Sequence, residues 1–295
     1  MVTNPNFKFK KIVTTAKTEY MKWILNSRLI ILAVLVIFIF TFAVQPLLEI
    51  SERLNTPLNI FEPFIAIISA EALVIMIPAV FITLIADFPR TDGTAAFIIM
   101  RTGRVNWYIG QVLFILAAII TFMGIIFTAS VVPIFTKAFL ANGWSLAVTR
   151  FTHYYPELSE SFTAKLITKE LYNQVSPYEA ATKSFFLMTL YLFVLAMVMM
   201  FMNTIKKKTM GLIISSGIIA IGGALCIINS SAMWLFPMSH TIIYLHYTEY
   251  FKEPVVPFYI SYIYLAICCV LLFSISFINI RNISFDSFCD INDNN

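Results

Sequence analysis

The chain has 295 residues, of which 59% are hydrophobic and 12% are charged, and its formal net charge is +4. Soluble domains carry about 45–50% apolar and about 25% charged residues, so this composition excludes a soluble globular protein. The small net charge gives no reason to expect a nucleic-acid partner. Several apolar runs reach the roughly 20 residues that a helix needs to cross a bilayer, which predicts an all-α polytopic membrane protein surrounded by lipid.

The first predicted element is an amphipathic helix at residues 5–23. Its apolar stripe covers about 100° of arc, and its lysines occupy the rest of the circumference. A basic helix of this kind is typical of the membrane interface, and the alternative is an exposed helix that packs on protein. The stripe consists of Phe9, Ile12, Val13, Ala16, Tyr20 and Trp23.

Six apolar segments follow, each long enough to cross a bilayer core of about 30 Å. Together with the N-terminal helix they predict one transmembrane domain over residues 1–285, followed by a polar tail at residues 286–295. The segments lie between Arg28 and Glu49, between Glu62 and Asp87, from Val105 to Thr136, between Lys183 and Lys206, from Gly211 to Asn229, and between Glu253 and Arg281.

The longest polar region lies at residues 137–183 and carries charges of both signs together with several aromatic residues. Its aromatic and aliphatic content predicts a small folded cap rather than disorder. Within it we predict a helix from about residue 157 to residue 175. One face of that helix would carry Ala164, Ile167, Leu171 and Val175.

A second irregular region, at residues 231–248, has no charge but is too broken and polar for a full span. We predict a membrane-dipping hairpin or a pair of interfacial helices there. His240 and His246 are six residues apart, with no acidic residue at ligand spacing. We therefore expect interfacial side chains beside Tyr244 and Tyr247 rather than zinc ligands.

The basic residues of the short connections lie mainly on one predicted side. Connections rich in Lys and Arg are typically cytoplasmic, so we predict six spans with both termini inside a cell membrane, expected to be bacterial. The region at 137–183 then lies outside the cell, and the tail lies inside. The basic residues of the inner side are the N-terminal lysines, Arg28, Arg90, Arg101, Arg104, Lys206, Lys207, Lys208 and Arg281.

Motifs of a self-sufficient enzyme are absent from the sequence. There is no GxxxxGKS/T, so the chain does not cradle a nucleoside triphosphate in the P-loop manner. HExxH, GxSxG and CxxC are also missing, and the four cysteines show no metal or disulfide spacing. We therefore predict no catalytic residue, no metal and no cofactor.

Glu71 is the one acidic side chain well inside an apolar segment. Such residues are costly in lipid and usually face the bundle interior or a water-filled cavity. We predict either a pathway contact for Glu71 or a shallow position near the outer headgroups.

The polar stretch at residues 88–111 contains the strongest functional signal. Thr91 or Asp92 can cap a short helix that begins at Gly93, and Gly103 is placed to end it. The helix carries the apolar run Phe97, Ile98, Ile99 and Met100, flanked by Arg101 and Arg104. Such a rod can dock into a groove on a cytoplasmic protein, and the alternative is a helix that lies flat on the inner leaflet.

This order of features resembles the permeases of the type-two ABC exporter family. Asp92, Gly93, Thr94, the apolar run 95–100, Arg101 and Arg104 stand in the order of that family's coupling helix. The resemblance implies a coupling helix at residues 91–104 and a second cytoplasmic contact at the turn that carries Lys206, Lys207 and Lys208. It also implies a second permease subunit and separate ATPase subunits, so that ATP hydrolysis takes place on the partners. The region 137–183 is longer than the family's usual outer link.

The predicted function is therefore a permease subunit of an ATP-driven exporter for a hydrophobic or amphipathic cargo such as a peptide, lipid or drug. One alternative is a membrane scaffold or sensor that binds a partner through residues 137–183. Another is an ion-coupled carrier that depends on Glu71.

Overall fold

The computed structural model is almost wholly helical, which confirms the predicted all-α class. The strands within the described part of the chain are two residues long, β1 (Leu58–Asn59) and β2 (Ala138–Phe139), and they pair in parallel. The residues that the structure describes are 8–89, 93–159, 161–205, 207–248 and 253–282. The predicted tail at 286–295 lies outside them.

The α-helices differ greatly in length, and the long ones carry the apolar segments. Within the described residues they are α1 (Phe9–Ile24), α2 (Ile30–Ile39), α3 (Gln45–Leu54), α4 (Glu62–Ser69), α5 (Glu71–Val74), α6 (Met76–Leu84), α7 (Gly93–Thr102), α8 (Arg104–Val131), α9 (Leu146–Tyr154), α10 (Lys169–Gln174), α11 (Pro177–Thr204), α12 (Lys208–Ile227) and α13 (Phe258–Asn282).

Five helical stretches are long and apolar enough to cross a membrane, which agrees with five of the six predicted spans. The stretch that begins at Pro177 is 61% buried within the protein, whereas the others are 22–39% buried, so α11 is the central helix of the bundle. The five stretches of the described chain are Ser27–Leu54, Arg104–Ile134, Pro177–Thr204, Thr209–Ile227 and Phe258–Ile280.

The first of these stretches stays continuous across a proline. A π-helical turn at Phe40–Val44 joins α2 to α3, and Pro46 is the second residue of α3. Proline cannot donate an i→i−4 hydrogen bond and its ring crowds the carbonyl of residue 42. The wider π turn accommodates that position without ending the helix.

The second predicted span is not one helix, so a count of six spans is not confirmed. It folds as α4, α5 and α6, with a break at Ala70, whose φ is −68° and ψ is 128°. Pro78 explains the boundary between α5 and α6, because its ring would collide with the Val74 carbonyl and α5 ends at that residue. The sequence near Ala70 contains no comparable helix breaker.

The predicted N-terminal helix is present, and it packs on protein along α8. Trp23 stacks edge-on against Phe114, with ring centroids 6.3 Å apart, and the Tyr20 hydroxyl lies 2.8 Å from Thr121 Oγ1. Phe9, in contrast, is 78% exposed. The stripe predicted for the membrane interface is therefore divided between a face buried in the protein and residues that face outward.

The predicted cap region is folded, but its long helix is shorter than expected. Of the residues 157–175, α-helix covers Lys169–Gln174. The predicted apolar face is nevertheless inside, since Ile167, Leu171 and Val175 are all buried. α11, which carries the fourth predicted segment, also begins earlier than predicted. Pro177 occupies its first helical turn, where the missing N–H of a proline is not needed.

A buried carboxyl group attaches this cap to the broken second segment. Glu62 is fully buried, and its carboxyl oxygens accept from the backbone N–H of Asn59 at 3.0 Å and of Ser145 at 2.7 Å. Asn59 Nδ2 donates to the carbonyls of Ala141 and Gly143 at 2.6 and 2.9 Å. We call these four contacts the Asn59–Glu62 clasp. Burial raises the pKa of Glu62 to about 7, and the two N–H donors oppose that rise.

Residues 231–248 contain 3-10 turns in place of the predicted helix pair. The turns are Ser231–Leu235, Ser239–Thr241 and Ile243–His246. Much of the segment is buried, including His240 and His246. Both rings therefore lie in the protein interior and bond to groups of the chain, and their level relative to a membrane stays a prediction.

The connections between helices gather at two opposite ends of the bundle. The first end, which we call the α7 end, includes α7 and the connection at 205–207. There Asn203 Nδ2 donates to the Phe88 carbonyl, and Asn279 Nδ2 donates to Thr204 Oγ1 at 3.2 Å. The second end, which we call the cap end, includes β1, β2, α9, α10 and the 3-10 turns. There Gln174 Nε2 donates to the Thr248 carbonyl at 3.2 Å.

Replacing Gly110 with leucine should displace α1. A Cβ atom at Gly110 would lie 2.8 Å from Thr15 Cβ and 3.0 Å from the Ile12 carbonyl oxygen. Overpacking of this kind costs about 1–3 kcal/mol, so thermal unfolding in detergent should begin at a lower temperature. Gly124→Leu on the same helix is the control, because nothing lies within 4 Å of a Cβ there. Equal melting temperatures for the two variants would contradict this packing.

The variant Asn59→Ala should loosen the cap. It removes the hydrogen bonds that the buried Asn59 amide donates to the Ala141 and Gly143 carbonyls and the one that its Oδ1 accepts from the Phe61 N–H. Each such bond contributes about 0.5–1.5 kcal/mol. We expect a lower melting temperature and faster trypsin cleavage within the cap. Asn142→Ala is the matched control, since Asn142 is exposed and accepts one long hydrogen bond of 3.4 Å. A cap that resists trypsin equally in both variants would argue against the clasp.

The stability of the protein should depend on pH through the titration of the Glu62 carboxyl. The pKa of its carboxyl in the folded chain, about 7, lies above the ordinary value of 4.5. Stability from this group is therefore present below pH 4.5 and is lost as the pH rises through 7. The melting temperature of the wild type, relative to that of Glu62→Gln, should fall between pH 5.5 and pH 8.5. Parallel pH profiles for the two proteins would show that Glu62 does not titrate in this way.

Candidate functional site

The helix predicted between the second and third segments is present with nearly the predicted bounds. α7 runs over Gly93–Thr102, and the Gly103 N–H closes its last turn on the Ile99 carbonyl at 2.8 Å. Gly103 has a φ of +87°, a conformation that side-chain-bearing residues rarely adopt. This glycine separates α7 from α8, so α7 is a distinct short rod.

The apolar run of α7 is divided between an anchored side and an exposed side. Ile99 is 2% exposed and joins the core, whereas Phe97 is 74% exposed and Met100 is 59% exposed. Arg101 is exposed beside them. An exposed aromatic residue, a flexible thioether and a cation on one short rod are side chains that interfaces favour at their centres.

α7 is held in place by α1. Lys11 Nζ donates to the Arg101 carbonyl at 2.6 Å, and the Lys8 N–H donates to Asn106 Oδ1 at 3.2 Å. These contacts place the lysines of α1 next to the last turn of α7. Arg104 is half-buried at the start of α8 and has its own partner in the protein, so it contributes less to the exposed surface than Arg101.

Several predicted site residues cannot be placed in full. Asp92 and Lys206 lie outside the described residues, and so do the side chains of Thr94, Lys208 and Glu71. Gly93 is the first residue of α7, Glu71 is the first residue of α5, and Lys207 is exposed just before α12. The pathway role predicted for Glu71 therefore stays a prediction.

An ion pair joins the start of the first segment to the end of the second. Arg28 Nη2 lies 2.9 Å from Asp87 Oδ2, and both side chains are partly exposed. Phe88, the next residue, stacks on Phe114 with ring centroids 5.0 Å apart. The end of the second segment is therefore packed against α8.

A cavity at the cap end reaches the helix break at Ala70. Its volume is about 600 Å³, which is within the roughly 300–1,000 Å³ of small-molecule sites. It is lined by Ala70, Phe162, Lys165, Thr168, Glu170, Asn229, Tyr244, Leu245, Tyr247 and Thr248. We call this space the outer cavity.

The lining of the outer cavity is amphipathic. Lys165 is exposed and Glu170 is half-buried, so both charges remain in contact with solvent. Burial raises the pKa of Tyr247, which keeps its phenol neutral. Thr168 Oγ1 is buried and has no hydrogen-bond partner among the described residues, although such a group normally has one.

Two buried histidines fix the wall that carries the tyrosines. His246 Nδ1 lies 2.7 Å from the Val256 carbonyl, and His240 Nδ1 lies 2.8 Å from Ser261 Oγ. Burial lowers the pKa of His240 to about 4 and also lowers that of His246. Both rings are therefore neutral at physiological pH, and Lys165 and Glu170 are the charged residues among the described residues of the lining.

The sequence alone did not indicate the outer cavity. Its residues come from the second segment, the cap, the end of α12 and the irregular region at 231–248, which are far apart in the chain. A usable signal was present, however, because residues 137–183 and 231–248 were both too polar and irregular for the membrane and both lay on the same predicted side.

Comparisons with known proteins identify no relative. No family model, no curated protein and no solved structure matches this chain. The functional inference therefore rests on the residues of the chain and on the geometry of its two ends.

Proposed function

We propose that the chain is a membrane-spanning permease subunit of an ATP-driven exporter, energised by separate ATPase subunits. The observation that carries the proposal is α7, a short helix held at one end of an apolar bundle with Phe97 and Met100 largely exposed. A connection between two spans does not need such a rod. A partner protein that transmits movement to the bundle needs an exposed, rigid contact of this kind.

The broken second segment fits a sixth crossing. Glu62 lies at the cap end, and the residues after it, 63–84, have a contour length of about 33 Å at 1.5 Å per residue, which is comparable to the hydrocarbon core of a bilayer. All eight residues of α4 are buried. Non-helical backbone at membrane depth is tolerated where protein or a cavity surrounds it, and the break at Ala70 meets both conditions.

The distribution of basic residues supports a cytoplasmic α7 end. Lys8, Lys10 and Lys11 of the first helix, Arg101 of α7 and Lys207 before α12 all belong to this end. Short connections rich in Lys and Arg face the cytoplasm. A cell membrane with the cap outside is the arrangement that follows.

The coupling step is mechanical in this proposal. ATP binding closes the ATPase subunits, which move α7, and α7 passes the movement to α1 and α8 through the Lys11–Arg101 contact and the Gly103 hinge. A second permease subunit, identical or homologous, would complete the pathway. The exposed apolar sides of α12 and α13 suit either lipid or that second subunit, and the cargo would be hydrophobic or amphipathic.

A membrane sensor is the second candidate function. It is favoured by the folded cap, which the Asn59–Glu62 clasp fixes to the bundle, and by the outer cavity beneath it. A sensor of this kind would bind its ligand without an ATPase, so the proteins retained by the chain distinguish the two functions.

The exporter proposal predicts that α7 holds an ATPase. The tagged chain, taken from its native membrane in mild detergent, should retain a protein with a P-loop. Phe97→Asp and Arg101→Glu should each reduce the retained ATPase at least tenfold, because a central interface residue commonly contributes 2 kcal/mol or more. ATP hydrolysis by the purified assembly should fall in parallel.

The matched controls for these variants lie at the cap end. Phe135 is 69% exposed there and Arg150 is exposed on α9, so Phe135→Asp and Arg150→Glu make the same chemical changes away from α7. Both should retain the ATPase. Retention of a P-loop protein that is insensitive to all four changes, or the absence of any such protein from the wild type, would contradict the proposal.

A further inference from the structure

The outer cavity is too large for a packing fault. Voids in protein interiors are rarely larger than a water molecule, whereas this space has a volume of about 600 Å³, which is enough for a small organic ligand. Its lining comes from the cap, the break at Ala70, the turn after α12 and the segment 244–248. The chemistry of that lining indicates which class of ligand fits.

Three aromatic side chains line the outer cavity, namely Phe162, Tyr244 and Tyr247. Other rings hold two of them in place. Phe162 packs edge-on against Phe42, with ring centroids 6.3 Å apart, and Tyr247 packs against Phe258, with ring centroids 5.8 Å apart. The negative faces of aromatic rings attract cations, and the attraction grows when the cation has lost its water.

The lining also offers a carboxylate that has no counter-charge. Glu170 is half-buried in the first turn of α10, and its side chain forms no hydrogen bond or ion pair within the described chain. The neighbouring cation, Lys165, is exposed and already has its own partner in the protein. A cationic ligand can therefore pair with Glu170, and hydrogen bonds to ionised groups are the strong ones.

The same wall shows how this chain holds an ammonium group. Lys183 Nζ lies 3.9 Å from the centroid of the Phe258 ring and 2.5 Å from Glu179 Oε1. Phe258 is the ring on which Tyr247 packs. Lys183 and Glu179 neutralise one another, so they leave the charge of Glu170 uncompensated. A ligand ammonium in the cavity would meet the same two kinds of group, an aromatic ring and a carboxylate.

We infer that the outer cavity binds an organic cation, a tertiary or quaternary ammonium with an apolar substituent. Its nitrogen lies between Glu170 and the tyrosine rings, and its apolar part lies against Leu245 and Phe162. Calcium and magnesium fit less well, because each needs about six oxygen ligands and the described lining offers one carboxylate. As a cargo class the inference rests on the proposed exporter function, yet every lining residue belongs to this chain, so binding needs no ATPase.

The test uses the purified full chain in a neutral detergent and tritiated benzyltrimethylammonium as the probe. Phenylacetate, which has a similar ring and the opposite charge, should bind at least tenfold more weakly by calorimetry. Choline and 3,3-dimethylbutan-1-ol differ in that a carbon replaces the charged nitrogen. Choline should displace the probe at a concentration at least tenfold lower than the alcohol does.

Variants of the lining then locate the site. Glu170→Gln should weaken binding of the probe at least tenfold, and Tyr247→Leu should weaken it several-fold. Lys165→Gln should bind the probe at least as tightly as the wild type, because it removes a like charge. Glu157→Gln and Tyr154→Leu make the same chemical changes at exposed residues of the cap that do not line the cavity, and both should bind like the wild type.

Three results would overturn the inference: no binding of benzyltrimethylammonium, equal affinities for this cation and phenylacetate, or undiminished binding in both Glu170→Gln and Tyr247→Leu. Displacement by 3,3-dimethylbutan-1-ol at the same concentration as choline would instead identify an apolar site and reject the cation. Failure of the exporter proposal is distinguishable, because cation binding would then persist in a chain that retains no ATPase. An ATPase retained by a chain that binds no cation would overturn this inference alone.

Discussion

The helix break at Ala70 is the constraint on which the rest of the structure depends. A chain that leaves helical geometry within an apolar bundle must pair its backbone groups or surround them with protein. Here the Ala70 N–H bonds to the Ala66 carbonyl and the Ala70 carbonyl accepts from the Leu73 and Val74 N–H groups. The Asn59–Glu62 clasp then holds the cap above the break. The outer cavity exists because the cap and the broken segment are fixed relative to one another but do not fill the space between them.

Different interactions stabilise the two ends of the bundle. The cap end relies on buried polar contacts, in which an unpaired group is expensive, so its geometry is rigid. The α7 end exposes Phe97 and Met100 and relies on α1 for support. Between the ends, α11 packs at the centre and α8 carries α1 along its side. In the proposed exporter, a movement of α7 would reach the bundle through α1 and α8, which α7 contacts.

Apolar length and helix caps predicted most of the fold, because both act locally. Five helices long enough to cross a membrane follow from runs of apolar residues. The ends of α7 follow from the glycines at 93 and 103. The break at Ala70 did not, since no local breaker marks it and only tertiary packing can stabilise it. For the same reason the sequence predicts only a hairpin or a helix pair at 231–248, whereas the segment forms 3-10 turns whose buried histidines contact Val256 and Ser261. The exposed rod at α7 was predictable, but the outer cavity was not, because four distant segments build it.

The central claim is that α7 and the cap lie on opposite sides of a membrane, and cysteine labelling tests it most directly. In a chain whose four native cysteines are replaced by serine, Phe97→Cys marks the exposed face of α7 and Tyr154→Cys marks the cap, where Tyr154 is 58% exposed. A membrane-impermeant maleimide should label the Tyr154→Cys protein in intact cells and the Phe97→Cys protein only after permeabilisation. Labelling of both sites in intact cells, protection of both, or the reverse pattern would contradict the arrangement.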